Sequence, residues 1–142
     1  MKLEFGLDTF GDLQHDDSGS FISAAQTIRN VIAQGMLADS LGLDHFNVGE
    51  HHRDDFAVSA PDTVLAGLAT VTKKIGLGTG VTVLSSDDPI RVYQRFATID
   101  ALSNGRAEIT AGRGSFIESF PLFGYELSDY GILFEEKLQL FK

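Results

Sequence analysis

A parallel α/β fold made of four βα units is what this 142-residue sequence predicts. Three observations carry the prediction. Short apolar runs alternate four times with stretches whose apolar residues recur at helical spacing. One run, IGLGTGVTVL at residues 75–84, is apolar and β-branched along nearly its whole length, as in a strand covered on both faces. The polar residues with chemical capability gather after the runs, whereas the joints leading back into them, such as Leu43 or Lys74-Ile75, are short and plain.

Residues 3–7 (LEFGL) alternate apolar with small or polar residues, the pattern of a short strand. A polar stretch, 8–20, follows. Phe21, Ala24, Ala25, Ile28, Val31, Ile32, Gly35 and Ala38 then predict a helix that Gly42 ends. Residues 44–49 read as the second strand. Pro61 suits a first helical turn, with Val64, Leu65, Leu68 and Val71 as its apolar stripe and Lys73 and Lys74 placed to complement the helix C-terminus. The third strand, 75–84, precedes the N-cap and proline Asp88-Pro89. Val92, Tyr93, Phe96 and Ile99 supply the buried face of the helix that Asn104-Gly105 ends. Residues 106–111 (RAEITA) read as the fourth strand, 112–130 as a longer loop, and Leu133, Phe134, Leu138 and Phe141 mark a last helix. The chain, 1–142, reads as one domain. It fits a doubly wound sheet or part of a (β/α)8 barrel, and a whole barrel takes about 250 residues.

Composition narrows the function. With 43% hydrophobic and 22% charged residues, the chain is a globular protein. Its net charge of -9, without a basic run, argues against nucleic acid and anionic membranes as partners. No apolar stretch approaches membrane-spanning length, and Met1-Lys2-Leu3 leads into a strand-like segment rather than a signal peptide, so the cytoplasm is expected. The absence of cysteine excludes disulfides, thiolate catalysis and thiolate metal sites.

In a parallel βα protein all four strand-to-helix loops lie at the C-terminal sheet edge, where ligands bind. Those loops hold Asp8-Thr9-Phe10, Glu50-His51-His52-Arg53, Ser85-Ser86-Asp87-Asp88 and Gly112-Arg113-Gly114-Ser115. Adjacent residues at a strand end diverge, so at most one of His51 and His52 is expected to face a central pocket, as acid, base or hydrogen-bond partner. A solvated loop fits the same three letters. A metal site is not expected, for no H-x-x-x-H or similar spacing is present. Gly112-Arg113-Gly114 combines close backbone approach with a guanidinium suited to a phosphate or carboxylate, although an ordinary turn with a surface arginine has the same sequence. GLGTG, residues 76–80, is no dinucleotide fingerprint, because its glycines lie inside a strand instead of opening a helix. The aromatic stretch SFIESFPLFGY suits a ligand wall or simple burial on the core.

Taken in order, LGLDHFNVGEHH, the AP opening the second helix, IGLGTGVTVLSSDDPIRV, LSNGRAEITAGRGSF and LFGYELSDYGILFEEKL resemble the N-terminal half of the luciferase-like, flavin-dependent monooxygenases. The resemblance spans essentially the whole chain and implies half of a (β/α)8 TIM barrel. It implies reduced FMN, in preference to deazaflavin, bound at the barrel mouth, and oxidation by O2 of a small organic substrate such as an aldehyde. A flavin reductase would supply the reduced cofactor. Carried over by position, Glu50 and His51 are the expected catalytic pair; Gly80, Val81, Ser85 and Arg113 are expected to bind the cofactor. Gly80-Val81 matches the place where relatives have a non-proline cis peptide, and Arg113 matches an arginine that holds the FMN phosphate. A half-barrel alone is expected to expose two strand edges and an apolar interior, and so to pair with another copy. The alternative is a half-barrel that binds flavin or oligomerises without turnover.

Overall fold

The computed structural model describes residues 2–142, so the expectation resting on Met1 lies outside the described residues. Strand β1 (Gly6–Thr9) pairs in parallel with β2 (His45–Val48), and β2 with β3 (Gly76–Thr79). A second parallel pair joins β4 (Thr82–Val83) to β5 (Ala111–Gly112), and a parallel bridge links Leu77 to Ala107. Helices α1 (Ala24–Leu41), α2 (Pro61–Val71) and α3 (Pro89–Ser103) follow β1, β2 and β4. A short α4 (Ser119–Leu122), one 3-10 turn and α5 (Tyr130–Phe141) complete the chain. Strand order follows chain order, and α1 packs on α2, α2 on α3 and α3 on α5. The helices therefore share one face of the sheet.

Local chemistry sets these elements. Ser23 caps α1 by accepting the Gln26 amide, and Gly42 ends it with φ of 79°. Asp88 accepts the amides of Ile90 and Arg91 at the start of α3, where Pro89 has no amide to satisfy. The core between sheet and helices is apolar: Phe46, Val48 and Leu77 from the strands meet Val31, Leu65, Leu68 and Val92 from the helices, all at most 2% exposed.

Several expectations are corrected. The first strand is Gly6–Thr9, not 3–7, because pairing with β2 begins at Gly6 opposite His45; Leu3 and Phe5 are exposed. Phe21 precedes α1 and bridges His15, and Thr27 is buried where Ile28 is not. Val71 and Tyr93 face solvent; Tyr93 lies one residue past the inward-facing Val92, which swings it about 100° around the helix. The third strand is not continuous, for the Gly80–Val81 peptide is cis and splits it into β3 and β4. Among the described residues the fourth pairs only at Ala107 and through β5. Lys73 and Lys74 contribute through their backbone amides, which with that of Ile75 donate to the Asp39 carboxylate at 2.8–3.0 Å. Nor is the second sheet face apolar. Asn47 donates to Asp8 at 2.7 Å, and His45 lies 3.2 Å from Glu4 and 3.3 Å from Glu108.

Candidate functional site

At the C-terminal edge of the strands the loops enclose a cavity of about 480 Å³. Its wall is built from Phe10 after β1, Glu50 with both histidines after β2, Gly80 and Val81 between β3 and β4, and the Arg113–Phe116 segment after β5, whereas the loop from β4 into α3 stays outside it. Gly112 is required there, since a Cβ on it would stand 2.6 Å from the Val81 side chain. The segment after β5 thus lies directly against the cis break.

Both histidines line this cavity, contrary to the expectation that one would turn away. Strand β2 ends at Val48, so strand alternation no longer governs residues 50–52. Their carboxylate partners differ. His51 Nδ1 lies 3.2 Å from Glu118 Oε1, whereas His52 Nε2 lies 2.8 Å from Glu50 Oε1. Glu50 and His51 line one wall but are not each other's partners.

Three aromatic rings hold His51. Phe56 stacks on it at 4.1 Å, and Phe116 and Phe10 meet it edge-on at 4.7 and 5.4 Å. Glu50 has a side chain only 10% exposed, and its second oxygen accepts the Val83 amide at 3.4 Å. Burial raises its pKa above the ordinary carboxylate value, with a smaller contribution from Asp87, against the opposing bonds from His52 and the Val83 amide. For Glu118, burial alone would raise the value. Hydrogen bonds from its own amide, the His51 ring and the His52 amide outweigh that and hold it below the ordinary value.

Of the residues expected to bind a cofactor, Gly80, Val81 and Arg113 line the cavity. The Arg113 guanidinium sits 5.3 Å over the Tyr130 ring and has no carboxylate partner among the described residues. The Tyr130 hydroxyl in turn donates to the Gly114 carbonyl. Ser85 lies elsewhere: it is fully buried outside the cavity wall, its hydroxyl has no partner among the described residues, and its carbonyl accepts from Lys137 Nζ at 2.8 Å. Among the described residues no group of three or more His, Asp or Glu is arranged to hold a metal ion.

A second cavity of about 340 Å³ lies beyond Glu50 and His52, which border both. On its far side Arg95 pairs with Asp62 at 2.6 Å and with Asp87. Sequence reasoning placed Phe10 at this edge and offered the stretch holding Phe116 as a ligand wall, but missed Glu118, Phe56 and Tyr130 as site residues. For Glu118 the signal was a lone glutamate within the aromatic run SFIESF.

The sequence model of a family described as luciferase-like monooxygenase matches residues 5–142. The N-acetyl-S-alkylcysteine monooxygenase of Bacillus subtilis (strain 168) is 32% identical over 120 residues, covering 82% of this chain and 36% of that one. The chain spans about a third of the length of the curated relatives it matches. Among solved structures, the oxygenating constituent of 3,6-diketocamphane monooxygenase from Pseudomonas putida, in complex with FMN, superposes with a TM-score of 0.85 at 21% identity, covering 99% of this chain and 38% of that one. An F420-dependent secondary alcohol dehydrogenase, in complex with an F420–acetone adduct, superposes with a TM-score of 0.76 at 19% identity, covering 99% and 41%.

Proposed function

Because the chain belongs to the luciferase-like monooxygenase family, we propose that it forms the N-terminal half of a (β/α)8 barrel whose strand ends hold reduced FMN for the O2-dependent oxidation of a small organic substrate such as an aldehyde. One observation carries this reading. The Arg113 cation, without a carboxylate partner among the described residues, the ring-held His51 and the buried Glu50 all border one cavity with Gly80 and Val81.

These residues suit a flavin chemically. Arg113 and the Ser115 hydroxyl offer the cation and hydrogen bond that a phosphate takes. Val81 and Phe116 offer apolar surface for a flat ring and exclude water from it. Bound reduced flavin supplies the electrons for oxygen activation. The chain supplies proton handling: Glu50 and His52 share a proton between Oε1 and Nε2, and His51 borders the cavity as acid or base. FMN is proposed over deazaflavin on the Glu-His-His and Gly-Arg-Gly-Ser-Phe wording. A flavin reductase in the cytoplasm is the proposed source of reduced cofactor.

Anaerobic titration with reduced FMN, and in parallel with reduced F420, tests the reading. FMN is expected to saturate, with Arg113→Ala weakening it about tenfold, as for one charge-assisted contact. His51→Ala is expected to keep binding and lose oxidation by about 100-fold or more, within the range for a general acid or base. Saturable binding without turnover in the unaltered chain would favour a non-catalytic flavin-binding half-barrel, and no binding would overturn both.

The free side of β1 supports a second proposal, pairing with another copy of the chain. Leu7 of β1 is 49% exposed, and Leu3 and Phe5 in the segment leading into it are 66 and 63% exposed.

A further inference from the structure

We infer that Glu118 is a positioning residue that fixes neutral His51 in its Nδ1–H form and so leaves the Nε2 lone pair as the proton acceptor. A carboxylate has no proton to donate. The 3.2 Å contact between Glu118 Oε1 and His51 Nδ1 therefore requires the hydrogen on Nδ1. A neutral imidazole carries only one N–H, so the bond at one nitrogen determines what the other can do. His51 Nε2 has no hydrogen-bond partner among the described residues, and the ring borders the cavity.

Glu118 is suited to the task. Its side chain is 18% exposed and that of His51 9%, so water competes poorly for the bond. Backbone amides bonded to Glu118 keep it ionised through the range in which an imidazole titrates, which supports the geometry without carrying it.

The aromatic surround makes the assignment directional. Phe56 stacked on one face and Phe116 and Phe10 meeting the ring edge-on hold the ring plane, and within that plane a 180° flip would put Cδ2 in place of Nδ1 against Glu118 and lose the hydrogen bond. Other charged groups approach without taking Nδ1. Glu50 and His52 bond each other, Arg53 lies 5.8 and 5.3 Å over the rings of Phe56 and Phe116, and Arg113 lies over Tyr130. Without Glu118 nothing holds the proton on Nδ1, and a solvated neutral imidazole favours the Nε2–H form. The cavity would then face a donor in place of an acceptor.

The test is a two-bond proton–nitrogen correlation spectrum of the intact, ligand-free chain labelled with ¹⁵N histidine, recorded where the imidazoles are neutral. The wild-type His51 signal is expected in the Nδ1–H pattern, Glu118→Ala in the Nε2–H pattern, and Glu118→Asp mostly restored. A wild-type Nε2–H pattern, or a Glu118→Ala spectrum unchanged from wild type, overturns the inference. Its catalytic arm rests on the proposed flavin-dependent oxidation: kcat is expected to fall about 100-fold in Glu118→Ala with KM unchanged, and to recover in Glu118→Asp. A lowered KM effect alone, without the kcat loss, would overturn that arm. An expected tautomer change in a protein that oxidises nothing would refute the proposed activity and leave the role of Glu118 standing.

Discussion

Glu50 and Glu118 border one cavity and each holds a histidine, yet their surroundings drive them in opposite directions. Glu50 is enclosed and has few donors, so its folded value lies above the ordinary 4.5. The folded chain therefore binds more protons than the unfolded chain in the window from 4.5 up to the raised value. Stability from this group is greatest below that window and declines as pH rises through it. Glu50→Gln removes the slope: its melting temperature is expected to match wild type near pH 4 and exceed it near pH 7, checked by thermal melts across that range. The sequence displayed Glu50 and both histidines as unusual after an apolar run. It did not display the partner of His51, because that carboxylate comes from residue 118 and only folding brings it near.

At the scale of elements, the plain end of the sheet turns out to be tied down by two charged side chains. Arg106 donates to the carbonyls of Ala69, Thr72, Ile75 and Ser103 and to the Thr72 hydroxyl, joining the ends of α2 and α3 to the start of β3. Lysine has neither the fork nor the reach, so Arg106→Lys is expected to cost about 2–3 kcal/mol by denaturant unfolding. Asp39 ties α1 to the same corner. Burial opposes its ionisation, but the three amides and Arg106 outweigh that and hold it below its ordinary 3.8. Its contribution is present above 3.8 and is lost as pH falls through the lowered folded value, so Asp39→Asn is expected to flatten the acid end of the stability curve. Leu68, fully buried where α1, α2 and the sheet meet, is expected to cost about 2–5 kcal/mol when replaced by alanine. Helix positions were legible because caps and stripes are local. The interrupted third strand and the sparse pairing of the fourth were not: an apolar run looks the same whether or not a peptide within it is cis.

For the whole molecule, alternation in the sequence revealed four βα units and the edge on which chemistry gathers. It did not reveal that the sheet's second face is polar, since Glu4, Asn47 and Glu108 read individually as ordinary strand residues and Asp8 as a loop residue until His45 and pairing bring them together. The open face therefore carries charge, and Leu3, Phe5 and Leu7 are exposed on the β1 flank. Light scattering is expected to find a dimer that Leu7→Glu dissociates; a monodisperse wild-type monomer would refute the proposed pairing.

The Lys137 bond to the Ser85 carbonyl has a consequence for synthesis. Residues 50–52 leave the ribosome early, but Glu118 and Lys137 follow far later in the chain. A nascent chain halted after α3 would carry the histidines without the group that orients one of them, and the loop after β4 without its brace. The cavity, whose wall includes Glu118 and Tyr130, is thus among the last parts of this chain to be completed.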